Sequence, residues 1–217
     1  MGTITRSFAN NITTSGVLLP ASLTNDSIAN VTAYNASVAT GNMVLVSSAT
    51  ASGSATIDFT LGSYKEYQFY FVNIHPQTDA VNFQFNVSTD SGSNYNVTKT
   101  TTVFNAVHNE PGSNAGIVYL ANSDLAQSTD FQRLTEFNYL GADADQNLGG
   151  HMSLFNPSSS VFVKHFISRV NHSHSADYTS DTFVAGYANT TSALTNIRFQ
   201  MSSGNIDEGT ILMYGIV

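Results

Sequence analysis

Hydrophobic and polar residues alternate along much of the chain after position 54. The clearest run sets Phe83, Phe85 and Val87 against Asn82, Gln84, Asn86 and Ser88. A period of two sends successive side chains to opposite faces, so this run is expected as a half-buried antiparallel strand. The turn cluster Thr89-Asp90-Ser91-Gly92 ends it. Ile197, Phe199 and Met201 alternate with Arg198 and Gln200 in the same way, and Ser202-Ser203-Gly204-Asn205 supplies the next turn. Further strands are expected at 43–46, 56–61, 67–74, 95–103, 116–120, 149–155, 161–170, 182–187 and 211–214. Turn signals such as Asn156-Pro157-Ser158-Ser159 fall between them.

Many short strands without helical runs to serve as crossovers predict an all-β fold, an antiparallel β-sandwich of jelly-roll type. Residues 123–134 are the one stretch with a helical reading, with Asp124 near its start and Leu125, Phe131 and Leu134 as spaced apolar positions. From 3 to 40 the chain is dense in Asn, Thr, Ser and Ala, and its apolar residues, among them Ile4, Phe8, Ile12 and Ile28, are scattered. Such a stretch buries too little apolar surface to offset the entropy of ordering it. Residues 1–48 are therefore expected as an extended N-terminal arm that docks on a partner or a neighbouring subunit; the alternative is a frayed terminus. Residues 49–217 are expected as the sandwich domain.

Composition narrows the function. Only 10% of residues are charged and 41% are hydrophobic, so the polar surface is built from Asn, Thr, Ser and Gln. The absence of Trp and Cys beside 14 Phe and 10 Tyr favours pleated surfaces. A net charge of −8 with seven Lys and Arg argues against a nucleic-acid partner, because phosphate binding needs clustered cations. Without cysteine, thiol redox chemistry and a disulfide framework are excluded. No run approaches the roughly 18 apolar residues of a membrane span, and the opening residues lack the pattern of a signal peptide. The expectation is a soluble protein with no membrane partner.

Candidate chemistry is sparse. His172, His174 and Asp177 are candidate metal ligands, since alternate histidines on a strand share a face. No large apolar residue stands between Val170 and Tyr178, however, and this favours an exposed polar loop. Asp143-Ala144-Asp145-Gln146-Asn147 opens like a calcium loop, but Leu148 and Leu154 stand where that loop needs Gly and Glu, so a solvated turn is expected. Neither Gly-x-Ser-x-Gly nor His-Glu-x-x-His occurs, and no Gly-rich loop leads into a helix. No cofactor and no catalytic residue is expected. Tyr64, Tyr95, Tyr139 and Tyr178 lie beside turns, where a flat ring stacks on a sugar or on a partner protein. These four are the candidate binding residues; the plainer alternative is a half-buried rim position for each.

Three stretches carry a resemblance: the opening Met1-Gly2-Thr3-Ile4-Thr5-Arg6-Ser7-Phe8-Ala9-Asn10-Asn11-Ile12-Thr13-Thr14-Ser15-Gly16, the segment from Tyr64-Lys65-Glu66-Tyr67 to Ile74-His75-Pro76, and the ending from Met201-Ser202-Ser203-Gly204-Asn205-Ile206 to Met213-Tyr214-Gly215-Ile216. Together they resemble a family of virion structural proteins of marine tailed phages, including those of cyanobacteria. The resemblance implies a non-enzymatic protein on the virion surface, made in the host cytoplasm, with other capsid or tail proteins as partners. A capsid decoration is the first expectation, and a tail-fibre protein that recognises host-surface glycan is the alternative. A surface with few charges suits seawater, where salt screens exposed ion pairs. Lys stands only at 65, 99 and 164 and Pro only at 20, 76, 111 and 157, so sheet edges lack their usual guards. A homo-oligomer is therefore expected, with a trimer preferred by analogy to virion appendages.

Overall fold

The computed structural model describes residues 42–135 and 139–216, so the expected arm up to residue 41 lies outside the described residues. The strands are β1 (Met43–Thr50), β2 (Ile57–Thr60), β3 (Glu66–Pro76), β4 (Phe83–Ser88), β5 (Lys99–Asn109) and β6 (Ala115–Tyr119). They continue with β7 (Gln132–Arg133), β8 (Leu148–Phe155), β9 (Lys164–His174), β10 (Tyr178–Ala188), β11 (Asn196–Met201) and β12 (Ile206–Ile216). The fold is all-β among the described residues, and no helix there is long and apolar enough to cross a membrane. Each strand expected from alternation overlaps an observed one. The boundary expected after residue 48 falls inside β1, so the sheet begins at Met43.

Two antiparallel sheets form. The larger has the order β1-β12-β3-β8-β9-β10-β5-β6 and the smaller β2-β11-β4-β7. Their inner faces meet in an aromatic core, as expected of alternating strands laid face to face. Phe199 on β11 stands 5.3 Å from both Phe69 and Phe71 of β3 and stacks on Phe83 of β4 at 5.8 Å. Phe85 of β4 meets Phe166 of β9 edge to face at 5.0 Å. All of these rings are buried.

The larger sheet has eight strands against four, and the chain between β6 and β8 runs along it through isolated bridges, Ser128 to Lys99 of β5 and Leu140 to His174 of β9. The expected helix at 123–134 lies here and does not form. Its backbone groups are taken by β5 instead: Leu125 N donates to Thr101 Oγ1 at 2.8 Å, and Thr101 N donates to Leu125 O at 2.9 Å. Thr101 Oγ1 in turn donates to Gln132 Oε1 at 2.6 Å, and the segment ends in β7. Leu134 and Leu140 beyond it are fully buried, their N–H groups donating to Phe83 O and Val81 O.

The inner face of β5, β9 and β10 is polar for an interior. Lys99, Lys164, Ser168, His172, Ser180 and Thr182 all point inward and are buried. Lys99 Nζ donates to Asn86 Oδ1 at 2.6 Å and Val97 O at 2.8 Å, while burial draws its pKa down to about 7. Lys164 Nζ donates to the carbonyls of Thr190 and Ser192 at 3.0 and 2.6 Å. Buried ammonium groups persist only when hydrogen-bonded in this way. Two of the three lysines are thus spent inside the molecule and leave the sheet edges without them.

Candidate functional site

The β9–β10 hairpin decides the geometry of the site. Residues 171–174 and 178–180, expected as an exposed polar loop, are strand: β9 runs to His174 and β10 starts at Tyr178. The connection is a tight turn in which Asp177 N donates to His174 O at 3.0 Å. Asp177 then takes a left-handed backbone with φ of 61°. Asp tolerates that conformation, so the turn closes without glycine. The polar run hid the strand because hydrophobic alternation stops at Val170 while the backbone ladder continues.

His174 lies at the centre of the end of the sheet. Its ring stacks on Tyr139 with centroids 4.0 Å apart and planes 21° apart, and Tyr178 leans against it at 5.2 Å. His174 Nδ1 accepts the Ala176 N–H at 2.9 Å, which assigns the neutral tautomer with the proton on Nε2. Burial lowers the pKa of His174, against the opposing pull of the Asp177 and Asp79 carboxylates.

Beside this stack opens a cleft of about 430 Å³, whose walls include Glu110, Asp143, Asp145, Asp177, His174 and Tyr178. The β5–β6 connection brings Glu110, whose N–H donates to Asp177 O at 3.0 Å. Asp143 and Asp145 come from the turn before β8, closed by the Gln146 N–H on Asp143 O at 2.8 Å. Gln146 is buried and holds the turn to the site: its Oε1 accepts Asp143 N at 3.2 Å and its amide reaches His174 O at 3.5 Å. Glycine at 141 leaves room for the end of the Gln146 side chain, which a Cβ there would displace. A second concavity of about 330 Å³ lies on the Tyr139 side of the same stack.

Tyr139, Tyr178, His174 and Asp177 are thus brought together, and the other candidates are not. His172 points into the interior, 1% exposed, with burial first and the charge of His174 second pulling its pKa down to about 3. Neither of its ring nitrogens has a hydrogen-bond partner among the described residues. Among the described residues no group of three or more His, Cys, Asp and Glu side chains is placed to hold a metal, so His172, His174 and Asp177 form no such centre. Tyr64 packs edge to face on Tyr67 at 5.5 Å and covers Gly215, where a Cβ would strike its ring. Tyr95 lies under the Arg198 guanidinium, 4.1 Å from its ring centroid, and Arg198 is forked onto Asp58 at 2.8 and 2.7 Å. Burial, with Asp58 nearby, raises the Tyr95 pKa.

Glu110, Asp143 and Asp145 are the residues that sequence reading passed over as cleft groups. Asp143 and Asp145 stand out in the sequence only as the failed opening of a calcium loop, and Glu110 carries no signal beyond a polar turn, which many residues here share. A cleft with aromatic and carboxylate walls suits a ligand rich in hydroxyls, whose C–H faces stack on rings and whose O–H groups donate to carboxylates. Compared with known proteins, the chain matches no family model, no curated protein and no solved structure.

Proposed function

We propose that this protein is a non-enzymatic structural component of a phage virion, displayed on the particle surface as a capsid decoration and assembled as a homo-oligomer. The observation that carries the reading is the strand order. With β5, β6, β9 and β10 set aside, the sheets become β1-β12-β3-β8 and β2-β11-β4-β7. The first strand then lies beside the last, and the chain changes sheet at every step except from β4 to β7, which pair with each other. We infer from this a jelly roll, the architecture that recurs in viral capsid and lectin domains, widened by two inserted strand pairs. The low charge content and the resemblance of residues 1–16, 64–76 and 201–216 to marine phage virion proteins support the same reading.

The segment ahead of β1, residues 1–40, is the proposed docking element. Deleting residues 2–40 is expected to abolish incorporation into particles while the sandwich still folds. Undiminished incorporation of the deleted chain, measured on purified particles, overturns the docking role.

A second reading, host-glycan recognition from a tail fibre, is favoured by the Tyr139–His174–Tyr178 stack and the carboxylates beside it. On that reading Tyr178→Ala weakens binding to host-surface polysaccharide at least tenfold, whereas Tyr64→Ala, away from the cleft, leaves it unchanged. Equal binding by wild type and Tyr178→Ala, measured by calorimetry, removes this reading.

A further inference from the structure

Among the described residues four strands end the two sheets, and three of them are guarded. β2 and β7 are short, at four and two residues, and β1 carries a register shift between Leu45 and Ser47. Short edges and bulges are the usual devices that stop a sheet from extending onto another molecule. The remaining edge, β6, has neither a bulge nor a charge: its pairing with β5 is regular from Ala115 to Tyr119, and no charged residue occurs from 113 to 123. All five of its residues are exposed, with Ile117 at 78% and Tyr119 at 58%.

The direction of its free backbone groups follows from the β5 pairing. Leu120 N donates to Val103 O at 2.9 Å and Asn109 N donates to Asn114 O at 2.9 Å. Antiparallel ladders alternate, so Asn114, Gly116, Val118 and Leu120 turn their N–H and C=O groups toward β5. Ala115, Ile117 and Tyr119 turn theirs outward, where no partner strand lies among the described residues.

We propose that β6 pairs with β6 of a second copy, antiparallel about a twofold axis at Ile117. In that register Ile117 faces Ile117 of the other copy, and Ala115 faces Tyr119. Every outward N–H and C=O of these three residues then has its complement. Side-chain volumes match as well, because Ala115 lies opposite Tyr119 on one face and Gly116 opposite Val118 on the other. The paired strands themselves carry no charge, and the carboxylate beside them, Asp124, accepts the Tyr119 hydroxyl at 2.5 Å, so two molecules of net charge −8 meet here with no like charges directly opposite. Such a contact is isologous and joins copies in pairs, so it departs from the threefold assembly expected by analogy. It stands independently of the proposed place on the virion.

Light scattering of the full chain at micromolar concentration tests it. Wild type is expected at an even multiple of the 23.2 kDa chain mass. Ile117→Lys, which sets two ammonium groups against each other, and Ile117→Pro, which removes an N–H that β5 does not use, are each expected to halve that mass with unchanged circular dichroism. Because the chain has no cysteine, Ile117→Cys gives a second readout: mild oxidation is expected to yield a covalent dimer far faster than it does with Val118→Cys, which would lie out of register. A single-chain or threefold mass, a mass that neither variant lowers, or equal cross-linking at 117 and 118 overturns the proposal.

Discussion

At the scale of single residues, the interior histidine His172 makes stability depend on pH. In the unfolded chain its imidazole has the ordinary value of 6.5, whereas in the fold burial holds it down to about 3. Above pH 6.5 the ring is neutral in both states and contributes no pH dependence. Between 6.5 and about 3 the unfolded chain takes up a proton that the fold refuses, so stability falls as pH drops. One such group costs about 1.4 kcal/mol per pH unit in that window, or about 2 kcal/mol between pH 6.5 and 5. Its nitrogens lack partners among the described residues, so His172→Leu forfeits no hydrogen bond there. Urea unfolding at pH 7 and pH 5 should show a smaller loss in His172→Leu than in wild type. The slope that remains belongs partly to His174, whose pKa is lowered in the same direction. Equal losses in the two proteins would show that His172 is not held neutral.

At the scale of elements, the β9–β10 hairpin joins backbone conformation to the chemistry of the cleft through Asp177. Its left-handed φ of 61° is reachable for Asp and Gly but is strained for a β-branched residue. Asp177→Val is therefore expected to cost about 1–3 kcal/mol in thermal or urea unfolding. Asp177→Gly should hold stability within about 0.5 kcal/mol of wild type, since glycine meets the turn at no steric cost. If the glycan reading is right, Asp177→Gly still weakens polysaccharide binding by removing a carboxylate from the cleft wall. The pair of variants separates the role of the turn from that of the charge. An unchanged stability in Asp177→Val would mean that the turn adopts another conformation.

At the scale of the whole molecule, one ring links both sheets. Phe199 touches Phe69 and Phe71 across the interface and Phe83 and Phe85 within its own sheet. Phe199→Ala should therefore cost about 3–5 kcal/mol. The loss should be seen equally by probes in either sheet, because the sheets share one core. Separate transitions for the two sheets would contradict that.

The strands whose inner positions are uniformly apolar were legible from sequence: β4 and β11 read directly from Phe83, Phe85, Val87, Ile197, Phe199 and Met201, because burial against one core enforces a period of two. That reading establishes an all-β class and the place of most strands. It fails where tertiary contacts override the pattern. On β9 the inward residues include Lys164, Ser168 and His172, while Ile167 faces out at 55% exposure, so polarity no longer reports the face. Nothing local distinguishes Tyr139 and Tyr178, which meet His174, from Tyr64 and Tyr95, which do not. Their meeting is made by the segment from Tyr139 to Asn147 laid along β9, where Ser175 N donates to Tyr139 O at 2.9 Å and Ser173 N to Asn147 O at 3.0 Å. Composition and periodicity dictate which segments become strands, since those are properties of neighbours along the chain. Which polar residues are buried, which edge is left open and which turns share a cleft depend on pairings between distant segments, and only the tertiary structure decides them.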